Sequence, residues 1–344
     1  MQYHLITLVS HPNSFVRYLI SLVLLSFSVA VFGQPSSEED KLTSRLNLGS
    51  SLPKGFLAQR SMVLYEISYT DKELKDIQKY FQQAGIDAVA YMDVDYVLSG
   101  VDPCRMFSAY FTNRVIKFLI LLQKKNDQYQ IVITEYNGAT TYVDKDHTAW
   151  TLSNSSLHEL MRQVYRFAIA SETKKNFLIS DVPETGVPLS FYRGKRDEKF
   201  TGDVRQFKMA VPRLGNEADD KQLEALLKEN LNTKYDFVDA ELTDAQLSEK
   251  GYRLVLRFIH TRGDAARDIL GYDVTQTASS LSTNYFEEGT AKIKTIRAKQ
   301  MIYKFYIKNT DYGNIFLGTK WDADETWQDA LKNHILVMKS ELKI

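Results

Sequence analysis

An apolar run without a charge, Tyr18 to Phe32 (YLISLVLLSFSVAVF), most constrains what this chain folds into. Arg17 precedes it, and Gly33 followed by Gln34-Pro35-Ser36-Ser37 closes it. A basic flank, a short apolar stretch, a small residue and then polar chain is the layout of a secretory signal. Val31 and Gly33, the third and first residues before Gln34, are small enough for a cleavage pocket. The run falls short of the roughly 20 apolar residues that a membrane-spanning helix needs. The most apolar later segment, Ile116 to Leu122, is strand-sized and carries Lys117. Residues 1–33 are therefore expected to be a signal peptide, and the remaining chain to be exported to a periplasm or the medium, with no membrane span after processing.

Export makes the cysteine count decisive. Cys104 is the sole cysteine of 344 residues, so no internal disulfide can form. Many secreted animal domains are stapled by disulfides; this chain must rest on its apolar core, and about 310 residues suffice for two domains. With one glycosylation sequon, Asn154-Ser155-Ser156, the pattern points to a bacterial envelope. Basic and acidic residues balance at 43 each, and loss of Arg17 leaves 42 against 43. A nucleic-acid partner would require a basic face to displace counterions, so that class is excluded.

The rest divides by composition. Residues 34–59 are polar and Ser-rich, and read as a mobile leader. Residues 181–203 hold Pro183, Gly186, Pro188, Gly194 and Gly202 with a mixed charge run, and read as a linker. The flanking stretches, 60–180 and 204–344, share an order of elements. Each opens with a strand-like run, Ser61–Ser68 or Val204–Val211. A helix follows, with apolar stripes Leu74, Ile77, Phe81, Ala84 and Leu223, Leu226, Leu227, Leu231. Thr70 and Glu73 fit a capping box, and Asp219 and Gln222 are read the same way. Strands at 87–93 and 235–241 come next. Each half closes with a hairpin (115–123 with 129–136; 300–308 with 314–319) and an amphipathic helix. The fold class is α+β: two similar tandem modules, each a mixed or antiparallel sheet backed by helices. The second half carries an extra strand at 252–260 and a polar loop from Thr261 to Ala298.

Chemistry is sparse. Asp93 and Asp95 would share one face of a strand, and Asp322 and Asp324 are also one residue apart; such pairs suit a divalent cation. The competing readings are a wet strand face, with Met92, Val94 and Tyr96 inward, and a helix cap in which Asp322 and Glu325 have capping-box spacing. His147, His158, His260 and His334 lack zinc-helix spacing, and Cys104 has no local base and reads as a small buried residue. Arg262-Gly263-Asp264 spells an adhesion tripeptide too short to weigh. Lys320 and Trp321, with Tyr306 and Tyr312 of the last hairpin, make the C-terminal corner the candidate binding surface. The pattern implies an exported, non-catalytic binding or assembly component of a cell envelope, with an envelope protein or glycan as partner. The alternative is a metal-assisted hydrolase or transferase using the paired Asp residues.

Overall fold

The computed structural model describes residues 38–171, 176, 179–185, 190–273, 279–287 and 290–344. The apolar run, its cleavage site and residues 34–37 lie outside the described residues. The first module comprises α1 (Glu38–Thr43), β1 (Leu46–Gly49), a 3-10 turn (Phe56–Ala58), β2 (Arg60–Tyr65), α2 (Asp71–Ala84), β3 (Asp87–Asp93), α3 (Val94–Val97), α4 (Val101–Asn113), β4 (Ile116–Lys125), β5 (Gln128–Glu135), β6 (His147–Asn154) and α5 (Leu157–Ala170). After β7 (Glu184–Thr185), the second comprises β8 (Arg196–Asp197), a 3-10 turn (Gly202–Arg205), β9 (Met209–Pro212), α6 (Glu217–Asn230), β10 (Tyr235–Val238), α7 (Asp244–Glu249), β11 (Leu254–Arg262), α8 (Gly263–Ile269), β12 (Ser280–Glu287), β13 (Thr290–Arg297), β14 (Met301–Asn309), β15 (Ile315–Phe316) and α9 (Trp327–Leu342).

The α+β architecture is two mixed sheets with one strand plan. The first runs β1-β6-β5-β4-β2-β3-β7 and the second β8-β15-β14-β11-β9-β10. Strands β1 to β6 correspond in chain order to β8, β9, β10, β11, β14 and β15. Each corresponding pair has the same neighbours and the same parallel or antiparallel sense. Even the 3-10 turn between the first and second strands recurs.

Local chemistry explains much of this. Thr70 and Glu73 do close a capping box on α2, and Gly85, at φ 80°, ends it in the left-handed conformation. Ile77, Phe81 and Ala84 of α2 pack with Leu160, Met161, Val164 and Ala168 of α5 against Val63, Ile120 and Ile133 of the sheet. In the second module Leu223 and Leu227 of α6 join Leu331, Ile335 and Met338 of α9 over Leu254, Phe305 and Ile307. Each such buried side chain contributes on the order of 1.5–3 kcal/mol. Asn126 and Asp127, at φ 48° and 58°, make the tight β4–β5 turn that the sequence anticipates.

Several expectations are corrected. From residue 38 the presumed leader belongs to the fold: α1, β1 and the 3-10 turn bury Leu42, Leu46, Phe56 and Leu57. The presumed linker supplies an edge strand to each sheet, β7 and β8. The strand read as an insertion is β11, the long antiparallel partner of β14; β15 pairs at only Ile307↔Phe316 and Lys308↔Ile315. The long polar loop holds α8 and the β12–β13 ribbon. Asn216, rather than Asp219, caps α6, because its side chain accepts from the Asp219 backbone N–H.

Candidate functional site

Helix α4 is wedged between the sheets. Phe107 and Phe111 join the second core of the first sheet, while Met106 packs against a core of the second. Pro103 lies in the first turn, where its missing N–H costs nothing. Asp102 beside it is buried and points into the second module. It accepts a 2.7 Å hydrogen bond from the Tyr306 hydroxyl, and Lys308 Nζ lies 3.0 Å from its other oxygen. Lys308 also pairs with Asp244 at 2.7 Å, and Arg257 donates to Asp244 at 3.3 Å. Tyr306 is therefore not a surface residue: its exposure is 0%. Strand alternation does put Tyr303, Phe305 and Ile307 on the helix-covered face, but the opposite face, with Lys304, Tyr306 and Lys308, is buried as well.

A second polar cluster pins the junction. Strand β3 ends at Asp93, whose carboxylate accepts from the Asp95 backbone N–H and starts α3. Asp93 and Asp95 thus share no strand face; the turn gathers them around Arg262 from β11. Arg262 Nη2 is 2.5 Å from Asp93, its Nε 2.6 Å from Asp95 and its Nη1 2.8 Å from Asp264. The Thr261 hydroxyl donates to the Asp95 carbonyl, and the His260 backbone N–H to that of Ser99, both at 2.7 Å. A guanidinium occupies the place where the metal reading puts a divalent ion. The Arg-Gly-Asp tripeptide serves this contact, with Arg262 5% exposed. Three carboxylates share one cation. Burial pushes the Asp93 carboxyl up to about 6; Arg262 opposes the rise, and Asp95 and Asp264 add to it.

Beside this cluster opens a cleft of about 600 Å³ between the modules. Tyr65, Tyr91, Asp93, Tyr96, Met106 and Phe107 line it from the first module. Phe191, Tyr192, Asp268 and Ile269 face them from the second. Tyr96 reaches across, its hydroxyl donating to Asp268 at 2.9 Å. Burial, together with the neighbouring Asp268 charge, raises the Tyr96 phenol well above its ordinary value, so it stays a neutral donor.

The other sequence candidates scatter. Asp322 is wholly buried: Lys304 Nζ approaches it at 2.7 Å and His334 Nδ1 at 3.0 Å. Burial opposes its ionisation, but these two neighbours hold its carboxyl below the usual value. Asp322 therefore does not cap the last helix; Thr326 does, accepting from the Asp329 backbone N–H. Asp324 pairs with Lys294 at 2.7 Å and accepts from Asn333 at 3.0 Å. Among the described residues, no group of three or more His, Cys, Asp or Glu side chains is arranged for a metal ion. Trp321 stands edge-on to Tyr272, under the β12–β13 ribbon whose Asn284 N–H donates to its carbonyl. Lys320 is exposed, and Tyr312, at 74% exposure, projects from the β14–β15 turn. The four corner residues form no common surface.

His158 bonds Tyr80 at 2.6 Å, His260 stacks on Tyr303 with centroids 4.0 Å apart, and His147 opens β6. Half-buried Cys104 contacts the Val97 carbonyl. Sequence reasoning missed Asp102, Arg262, Asp268 and the cleft aromatics. The one available signal was a repeated charge among apolar residues, at Arg257 in β11 and at Lys304 and Lys308 in β14. The chain matches no family model, and no curated protein is significantly similar to it.

Proposed function

We propose that this chain is an exported, non-catalytic binding component of a cell envelope, which takes a small ligand in the cleft between its modules. The cleft itself carries the reading. Its volume of about 600 Å³ lies within the roughly 300–1,000 Å³ typical of ligand pockets. Its lining is mainly aromatic and apolar with a few convergent polar groups, the composition such pockets use. Both modules contribute walls, so the junction that Asp102 and Arg262 hold together also shapes the site. Support for export remains the run from Tyr18 to Phe32 with its polar boundary at Gln34.

Two measurements test the proposal. Native mass spectrometry of the protein from its own cells is expected to find a small molecule bound to the wild type and absent from Ser190→Trp, which fills the cleft mouth. An unliganded wild type, or an adduct that survives the substitution, removes the cleft as the site. The same spectra report the N-terminus: a mass starting at Gln34 supports export, and an intact Met1 refutes it.

A further inference from the structure

We infer that the junction cleft is an ammonium site, taking an organic cation whose apolar body lies along the aromatic walls and whose charged head meets Asp93 and Asp268. This rests on reading the cleft as a ligand site. The argument begins with charge. Among the described lining residues none is Lys, Arg or His, while Asp93 and Asp268 both face the space. Behind them Asp95 and Asp264 add two more carboxylates, and Arg262 is already shared among three.

The other guanidiniums near the mouth make their contacts outside the lining, although Arg196 keeps one buried nitrogen, Nη2, without a hydrogen-bond partner. Arg196 donates to the Leu270 carbonyl, pairs with Glu198 at 3.0 Å and covers the Tyr272 ring at 4.5 Å. Arg267 donates to the Asp273 carbonyl and faces the same ring at 6.0 Å. Tyr272 is not a lining residue. The lining therefore carries two carboxylates and no cation, a negative field that Arg267 beside the mouth offsets only in part. An anion would meet like charge there, and a neutral ligand would leave the field unrelieved.

The walls point the same way. Tyr65, Tyr96, Phe107, Phe191 and Tyr192 present aromatic surface from both modules. Ring faces attract ammonium groups through their quadrupole, most strongly where water is excluded. Asp268 accepts one hydrogen bond, from Tyr96 on Oδ2, and among the described residues its Oδ1 has no protein partner. A space of about 600 Å³ exceeds what a bare ammonium fills, so the ligand brings a hydrocarbon or aryl body.

The test uses three probes of one shape. Tyramine, tyrosol and 4-hydroxyphenylacetate share a hydroxyphenyl body and differ only in a cationic, neutral or anionic end. Titration calorimetry at pH 7.5 on the full processed chain is expected to rank them in that order, with tyramine at least tenfold tighter than tyrosol. Benzyltrimethylammonium is expected to bind as well. Asp268→Asn, at the exposed mouth, is expected to weaken tyramine at least fivefold and leave tyrosol unchanged. Equal affinity for tyramine and tyrosol, a preference for the anion, or no binding of either ammonium at millimolar concentration would overturn the inference. Tyrosol binding that Ser190→Trp abolishes, without charge preference, keeps the cleft as a ligand site and discards the ammonium. A wild-type adduct that survives Ser190→Trp discards the cleft.

Discussion

Replacing Lys304 by Met should unfold the second module more readily than any surface change. The side chain is fully buried, and its Nζ lies 2.7 Å from Asp322 Oδ1. It donates to the carbonyls of Phe305 at 2.9 Å and Leu317 at 2.8 Å, so the carboxylate contact is an ion pair beside two directed hydrogen bonds. Met fills a similar volume but strands a carboxylate and two carbonyls in apolar surroundings. Breaking a buried pair from one side costs about 3–5 kcal/mol. His334 still donates to Asp322, which holds the loss toward the lower half of that range. Lys304→Met/Asp322→Asn carries no buried charge and should recover about 2 kcal/mol of it, because the stranded carboxylate dominates the single variant. Urea unfolding followed by circular dichroism and by tryptophan fluorescence measures the double-mutant cycle, the two probes testing for a single transition. A loss below about 1 kcal/mol in Lys304→Met, or losses that simply add, would refute the reasoning.

Three further outcomes follow from the geometry. Gly100 has φ 157°, and a Cβ there would lie 2.7 Å from the Phe258 carbonyl oxygen; Gly100→Ala should cost about 1–3 kcal/mol in urea, and an unchanged midpoint would deny the close seating of the modules. Asp127 sits at φ 58° in the β4–β5 turn; Asp127→Val should lose about 1–2 kcal/mol and Asp127→Gly should lose nothing, read from thermal melts. Asp93 ionises near pH 6 when folded against 3.8 as its ordinary value, so between those limits the folded chain holds more protons and stability falls as pH rises. The span corresponds to at most about 3 kcal/mol. The difference between wild type and Asp93→Asn, in urea titrations at pH 4 to 7, should show that downward slope; a flat or rising difference would contradict it.

Local signals in the sequence proved readable, and long-range ones did not. Thr70 and Glu73 lie three residues apart, so the α2 cap needs nothing beyond its own segment. Tyr303, Phe305 and Ile307, at period-two spacing, do share one face of β14. The same pattern misleads at Lys304, Tyr306 and Lys308, because polar residues at alternate positions look like a wet face. They are dry because Asp102, Asp244 and Asp322 come to meet them from distant segments. Asp322 and Glu325 have the same spacing as the true cap pair, Thr326 and Asp329, four residues later. The pull of Lys304 and His334 on Asp322 decides between the two. The pairing of β11 with β14 was hidden by the segment between them, which left β15 as the nearer apparent partner.

The shared strand plan explains where the site lies. Both modules use one sheet face for a pair of helices, α2 with α5 and α6 with α9. Elements that differ include α3 and α4, between the third and fourth strands of the first module, and α8 with the ribbon, between the fourth and fifth strands of the second. Those insertions carry Tyr96 and Asp268 to Asp93, at the end of the shared strand β3, so scaffold and insertions together line the cleft. The same geometry makes each module dependent on the other. Alone, residues 188–344 would uncover Tyr306, Lys308 and Arg262, and residues 34–187 would leave Asp102 without its cation and hydroxyl donor. Uncompensated buried charge is strongly destabilising. The two fragments expressed apart should therefore aggregate or melt without cooperativity, and co-expressed they should elute as one species of full-chain size. Monomeric fragments that each melt sharply alone would show that the polar junction is an accessory to folding rather than a condition of it.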